Sequence, residues 1–420
     1  MAIWKKQRVL WIGGVIGFML FWVLQYAPML SGESAEATKH AVNRAEAEQA
    51  AAAFVREKLG FFPEDELRTF AVYSAEKEAF GYLYKEEAIR EAIDALRAVL
   101  PLESYRVEVK EAESGSVHLI DINPYTGEPA EWQMNTDGVH APLSTAELEQ
   151  IGRGITESMI AAGASVKLNG VYTESGEVHY TVEHAALGEA YATVAIRADT
   201  SGIQGVAVEW FVPEAYTALA ERQDYWASLL GSVGLGLSAA LQLAALIYVL
   251  SHLKQVRFSR GSFMALVFAV FYCAINMNMY PGIKGTILGI LNGEAYVPAA
   301  GDGTELIAGL ISVLLVTNTI TLFMAVGTYF SVMAGDRLTA DTPWPAWPSW
   351  NNGEYGQHLA SSVWKGYVYA FLLLGFQSVI YLGAESGFRT WYSIDAMTSA
   401  NNMLYPYLMP MLAWCAEPSG

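Results

Sequence analysis

The stretch NNMLYPYLMPMLAWCA, from Asn401 to Ala416, decides the class of fold because it has the composition of the beginning of a membrane helix. Its first residues are polar, and Tyr405 and Tyr407 stand where an interfacial aromatic belt would lie. The apolar run from Met403 to Ala416 has 14 residues, whereas a spanning helix needs about 20. We therefore expect a truncated sixth membrane helix over residues 401–420, and the sequence leaves open whether the end of the chain is natural.

Five more apolar segments precede this one, and the whole chain has the composition of a membrane protein. Hydrophobic residues make up 53% and charged residues 16% of the 420 residues, and soluble domains carry roughly 25% charged residues. The apolar segments alternate with loops whose basic residues follow the positive-inside rule. They predict an N-terminal anchor at 1–30 and, within 226–384, membrane helices at 226–251, 262–280, 306–333 and 364–382.

The predicted anchor begins with three basic residues among the first eight and continues with an uncharged apolar run of 22 residues from Val9 to Leu30. A cleaved signal peptide has a shorter apolar core and a small-residue cleavage site. The run therefore favours an uncleaved helix in the cell membrane, with the N-terminus in the cytoplasm. Gly13 and Gly17 have the GxxxG spacing of a helix-packing face.

Nearly all of the negative charge lies in one block, residues 31–225, which holds 34 acidic and 15 basic residues, a net charge of −19. We expect this block to be extracytoplasmic, because the basic loops belong to the cytoplasmic side. A domain so acidic repels nucleic acid, which excludes DNA and RNA as partners. Cys273 and Cys415 both lie outside the block, so the block must fold without disulfides.

The acidic block alternates helical and strand patterns, which predicts an exported α+β domain. One helix is predicted from Ser144 to Gly163, with Ser144 and Glu147 forming a capping box. Several patterns occur twice, and we interpret 31–140 and 141–225 as two helix-plus-antiparallel-sheet units, a possible internal duplication. The repeated patterns are Ser-Gly-x-Val-His at Ser114–His118 and Ser175–His179, an Asp followed by a Thr-Gly or Ser-Gly turn at Asp121–Gly127 and Asp199–Gly202, and strands with Trp132 and Trp210. The Asp-x-Thr-Gly turn resembles that of a PepSY-type unit.

The sequence PYLMPMLAWCA, with the preceding NNMLY, resembles the segment just before the first catalytic motif of CPBP intramembrane proteases, the CAAX-protease and bacteriocin-processing group. The resemblance covers residues 357–416 and, more loosely, the long exported domain of some bacterial members. It implies a membrane endopeptidase with Glu-Glu-x-x-x-Arg, Phe-x-x-x-His and another His farther along the chain. This chain stops before those motifs, so it is expected to be inactive as given.

No catalytic, cofactor-binding or metal-binding residue is therefore predicted, and a metal in a longer protein stays open. Three functions remain: a truncated CPBP-type endopeptidase, a non-enzymatic membrane sensor whose exported domain binds a peptide or cation, and a scaffold or immunity-type partner. The expected partners are the lipid bilayer and a membrane peptide or protein. The sequence leaves the substrate, the ligand and the oligomeric state open.

Two groups of polar residues are candidates for sites. Asn276 and Asn278 lie inside a predicted membrane helix, where such side chains hold helices together or line a site; hydrogen bonds between helices are the favoured role. His179 and His184 bracket a strand with Glu183 beside them. Because a metal site needs three or four convergent ligands, surface histidines are the favoured interpretation.

Two further motifs also favour a structural role. Glu385 and Arg389 have the Glu-x-x-x-Arg spacing, but with a single Glu in a predicted outer loop they indicate a local ion pair. The proline–tryptophan stretch at residues 342–350 predicts an interfacial loop on the inner headgroups, and a ligand for a proline-recognition domain is the alternative.

Overall fold

The computed structural model describes residues 2–26, 41–59, 67–112, 114, 116–134, 143–200, 202–256, 258–285, 304–339, 355–388 and 399–405. They form an antiparallel sheet domain and a set of apolar helices. The predicted α+β domain is thereby confirmed. The proline–tryptophan stretch, Arg389 and nearly all of the predicted truncated helix lie outside the described residues.

Eight strands form one sheet in the order β1-β2-β3-β4-β8-β7-β6-β5, and all neighbouring strands are antiparallel. The two halves join where Trp132 and Gln133 pair with Val206 and Gly205. The strands are β1 (Leu67–Ala75), β2 (Glu103–Glu111), β3 (Val117–Ile122), β4 (Pro129–Gln133), β5 (Ser165–Tyr172), β6 (Glu177–Glu183), β7 (Tyr191–Asp199) and β8 (Gly202–Phe211).

The strand order separates the repeated patterns into two kinds. The turns after Asp121 and Asp199 join β3 to β4 and β7 to β8, which are matching connections in the two halves. The two Ser-Gly-x-Val-His segments do not match, because one leads into β3, the third strand of its half, and the other into β6, the second strand of its half. Ser and Gly favour tight turns in general, so the recurrence of this pattern is explained by turn formation and not by a duplication.

Four helices pack on one face of the sheet: α2 (Arg44–Leu59) over β1–β4, and α3 (Lys77–Lys85), α4 (Ile89–Leu96) and α5 (Thr145–Ala161) over the other half. The predicted capping box is confirmed, since Glu147 accepts a hydrogen bond of 2.9 Å from the Ser144 N–H. The strand residues facing these helices are fully buried, for example Val107, Ile120 and Val194. This face is the hydrophobic core of the domain.

In the part of the chain that the structure describes, four helices are long and apolar enough to cross a membrane: α6 (Glu214–Ser251), α7 (Phe258–Asn278), α8 (Thr304–Thr339) and α9 (Tyr355–Phe388). They overlap the four spans predicted between residues 226 and 384. The anchor contains α1 (Ala2–Phe21), which continues as a π-helical turn to Tyr26, and its apolar part, Leu10–Leu24, is shorter than the other spans. Because α9 continues to Phe388, Glu385 lies in a helix rather than in the predicted outer loop.

Close contacts between small residues join α1 to α9. A side chain at Gly17 would collide with the Phe371 carbonyl, and one at Gly375 would collide with Gly17. The rings of Trp11 and Trp364 are 4.6 Å apart at one end of this contact. The GxxxG spacing therefore marks a real packing face, as the sequence predicted.

Candidate functional site

The face of the sheet opposite the helices holds the candidate site. Side chains alternate between the two faces of a strand, so Val107 and Val109 enter the core whereas Arg106 and Glu108 lie on the open face. Across the middle strands this open face forms a cavity of about 590 Å³, which we call the open-face groove. Its lining is Arg106, Leu119, Asp121, Glu131, Trp132, Gln133, His179, Thr193, Ala195, Val206, Ala207, Val208 and Glu209.

Small residues make the floor of the groove along β7 and β8. Thr193 and Ala195 on β7 lie beside Glu209 and Ala207 on β8, with Ala195 paired directly to Ala207. Ala207 is exposed although it lies in the middle of a central strand. The result is a trough in which a ligand can approach the strands closely.

A partly buried ion pair forms the wall on β2 and β3. The Arg106 guanidinium donates to both carboxylate oxygens of Asp121, with Nη2–Oδ2 at 2.7 Å and Nε–Oδ1 at 3.0 Å. The Asp121 side chain is only 6% exposed and that of Arg106 31% exposed. A bidentate pair of this kind fixes both side chains and is strong where water is excluded.

Glu131 on β4 extends this wall, and its pKa is the one most strongly shifted among the residues of the groove. It accepts a hydrogen bond of 2.9 Å from the Val208 N–H across the β4–β8 junction. Burial, and to a lesser degree the charge of Asp121, raise the pKa of Glu131 to about 8, with Arg106 opposing. Burial also raises the pKa of Glu76, which responds to the same two charges. Glu131 is therefore largely protonated at neutral pH and can donate a hydrogen bond into the groove.

The opposite wall contains His179, which the sequence predicted to be a surface histidine. Its ring is 28% exposed, lies 4.9 Å from the Tyr172 ring and has its Nε2 atom 3.4 Å from Glu177. Burial opposes ionisation of Glu177, but hydrogen bonds from Arg197 and His179 lower its pKa overall. His184 is used elsewhere, since its Nδ1 atom accepts the N–H of Ala186 at 3.1 Å.

The two histidines therefore do not form a site with Glu183, whose carboxylate pairs with Lys167 at 2.7 Å. Within the described part of the chain, no group of three or more His, Cys, Asp or Glu side chains is placed to hold a metal ion. The two asparagines are brought to helix contacts: Asn276 donates to the Thr321 hydroxyl at 3.1 Å, which confirms the predicted role. Asn278 contacts the backbone of Tyr405 instead of another long helix.

The sequence patterns do not identify three residues of the groove, namely Arg106, Asp121 and Glu131. Each occupies the polar position of an alternating strand, where a charged residue ordinarily faces water. One sequence feature does point to the site, the Asp121–Gly127 turn. It places Asp121 near the end of a strand that pairs with two others. Only the pairing of β2, β3 and β4 brings the three side chains together.

The raised pKa of Glu131 predicts how stability depends on pH. The folded protein keeps a proton to about pH 8 that the unfolded chain releases near 4.5, so the free energy of unfolding should fall as the pH rises through this window. In Glu131→Gln, which stays neutral, this decline should be smaller. Chemical unfolding in nanodiscs at several pH values measures it, with Glu209→Gln, an exposed glutamate of the same face, as the control. Equal pH slopes in wild type and Glu131→Gln would contradict the assignment.

Comparisons with known proteins give little similarity. No protein-family model matches the chain, and no curated protein matches it significantly. Among solved structures, the chain is similar to the Bacillus megaterium YpeB C-terminal domain with a TM-score of 0.25 and 12% sequence identity, over 40% of this chain and 64% of that one. This chain thus spans less than two thirds of that structure, and a likeness this low carries no conclusion about function.

Proposed function

We propose that the chain is a multi-pass membrane protein whose extracytoplasmic domain binds an extended polypeptide segment with a basic side chain in the open-face groove. The observation that carries this proposal is the groove itself, where a floor of small residues lies beside the buried Asp121 and the partly buried Arg106 and Glu131. The proposal corresponds to the sensor or binding protein among the functions that the sequence left open.

The shape and charge of the groove favour this ligand class. A volume of about 590 Å³ lies within the range of pockets that enclose small ligands or a few residues of a peptide. Glu209 supplies a carboxylate along it, Asp121 is paired with Arg106, and the neutral Glu131 can donate a hydrogen bond to the ligand. The surrounding block has a net charge of −19, and such a field concentrates cationic ligands and accelerates their association.

The helix directions support an extracytoplasmic domain. α1 runs parallel to α9, since Trp11 meets Trp364 and Phe18 meets Phe371. α6 runs parallel to α8 and α7 runs antiparallel to α8, as contacts such as Asn276 with Thr321 require. A chain that crosses the membrane alternately at α1, α6, α7, α8 and α9 needs these directions. With the basic N-terminus in the cytoplasm, the domain between α1 and α6 is then outside.

The binding test uses the full chain in nanodiscs and a fluorescent peptide of alternating lysine and alanine. We expect saturable binding that weakens as salt rises and no binding of a glutamate–alanine peptide of equal length. Ala207→Leu fills the floor from an exposed position and should weaken binding roughly tenfold or more. Ser165→Leu, on the exposed edge strand β5, is the matched control. Equal affinity for both peptides, or an unaltered affinity in Ala207→Leu, would contradict the proposal.

A second candidate is that the domain serves a membrane endopeptidase of the CPBP type. The resemblance at residues 401–416 is the observation behind it, and the contact of Asn278 with Tyr405 places the start of that stretch at the end of α7. The groove would then collect a substrate for catalytic groups farther along the reading frame.

The endopeptidase candidate predicts cleavage only by a longer chain. Hydrolysis needs groups that activate water and stabilise the developing charge, and this sequence assigns none. A membrane peptide should be cleaved by a version extended along its reading frame and left intact by the 420-residue chain, as measured by mass spectrometry. Absence of cleavage by both would remove this candidate and leave the binding proposal standing.

A further inference from the structure

We propose that Lys284 couples the open-face groove to the membrane helices, holding residues 399–405 against the edge of the sheet so that a change at Arg106 reaches this segment. The inference deepens the proposed function, because a ligand in the groove is what would drive the change. Its physical basis is a compact set of contacts between the open face of β1 and β2 and the residues that follow α7.

Lys284 makes two contacts with the open face of the sheet. Its Nζ atom lies 3.6 Å from the centroid of the Phe70 ring and 3.4 Å from the Glu108 carboxylate. The side chains of Lys284 and Glu108 are only 12% and 20% exposed. A cation–π contact and an ion pair that are both largely desolvated are worth more than their counterparts at an exposed surface.

Apolar packing surrounds this lysine. Phe70 and Tyr280 meet edge to face with centroids 6.1 Å apart, and Gly285 approaches Val72 so closely that a side chain at Gly285 would collide with it. Residues 280–285 thus cover the open face at β1, and the Lys284–Glu108 ion pair joins this cover to β2, next to the groove.

Two asparagines continue the connection to residues 399–405. Asn402 accepts the Tyr73 N–H at 2.6 Å and donates to the Tyr73 carbonyl at 2.7 Å, as a neighbouring strand would. Asn278 does the same for Tyr405, accepting its N–H at 2.7 Å and donating to its carbonyl at 3.1 Å. The Leu404 N–H also donates to the Asn278 carbonyl at 2.9 Å. The segment is therefore held between the edge of β1 and the end of α7.

The groove adjoins this connection through β2. Arg106 and Glu108 are two residues apart on the same face of the strand, a separation of about 7 Å. A ligand that draws Arg106 or Asp121 toward itself changes the electrostatic environment of Glu108, and with it the pull on Lys284. Coupling of this kind is reciprocal, so the docked segment should also affect the groove.

A second ion pair between the domain and the helices provides a matched control. Lys77 of α3 lies 3.6 Å from Asp224 of α6, but these side chains are 58% and 71% exposed. Exposed pairs contribute little because water and salt screen them. Lys77→Met therefore removes a lysine from the same domain–helix boundary without disturbing a desolvated contact.

The test measures amide hydrogen exchange of the full chain in nanodiscs without ligand, at Tyr73, Leu404 and Tyr405. Lys284→Met should accelerate exchange at these amides about tenfold or more, whereas Lys77→Met should leave it unchanged. Arg106→Met should slow exchange at the same amides, because it removes a positive charge beside Glu108 and so strengthens the attraction between Glu108 and Lys284. Lys284→Arg, which keeps the charge, should retain most of the protection.

Unchanged exchange in Lys284→Met would overturn the proposal, and so would acceleration in Lys284→Met without slower exchange in Arg106→Met. If Lys284→Met also accelerates amide exchange at Val194 in β7, the domain itself is unfolding. The variant Glu108→Gln, which removes only the ion pair, then tests the coupling in its place. Acceleration confined to the three junction amides in Glu108→Gln supports the coupling, and its absence refutes it. Because no ligand is added, failure here is distinguishable from failure of peptide binding.

Discussion

The structure depends on how the second face of an eight-stranded sheet is covered. The helices of the domain all pack on one face, where the buried strand residues form the core. The opposite face is covered at β1 by residues 280–285, which belong to the membrane region of the chain. Over the central strands this face is open and carries Arg106, Asp121 and Glu131. The candidate site is therefore a consequence of incomplete coverage of the sheet.

The domain is continuous with the helix that follows it, α6. α6 begins inside the domain, where Tyr216 is buried against Tyr82 with ring centroids 5.5 Å apart, and it continues without interruption to Ser251. On the other side, the carboxylate of Glu103 accepts hydrogen bonds of 2.7 Å from the hydroxyls of Tyr73 and Tyr125. Burial and the charge of Glu103 raise the pKa of both tyrosines. This network fixes β1, the strand that Asn402 contacts, within the domain.

Sequence patterns predicted the elements well and the site poorly. Alternation predicted the strands around Trp132 and Trp210 to within a few residues because each strand has one core face. The helical pattern of residues Lys85–Leu100 predicts one continuous helix, but the structure has a break at Glu87, whose positive φ of 58° separates α3 from α4. The groove depends on pairing of strands distant in sequence, with Trp132 next to Val206, and no local pattern specifies which polar face stays uncovered. The roles of Asn402 and Lys284 depend on tertiary contacts in the same way.

In the proposed topology, the open face is accessible from outside the cell over the groove and is covered by residues 280–285 at β1. Single cysteines at Ala207→Cys and Val72→Cys, in a chain with Cys273 and Cys415 changed to serine, test both parts. In intact cells a membrane-impermeant maleimide should label Ala207→Cys at least about tenfold faster than Val72→Cys. Equal rates would contradict the coverage at β1, and labelling of Ala207→Cys only after lysis would contradict the extracytoplasmic placement of the groove.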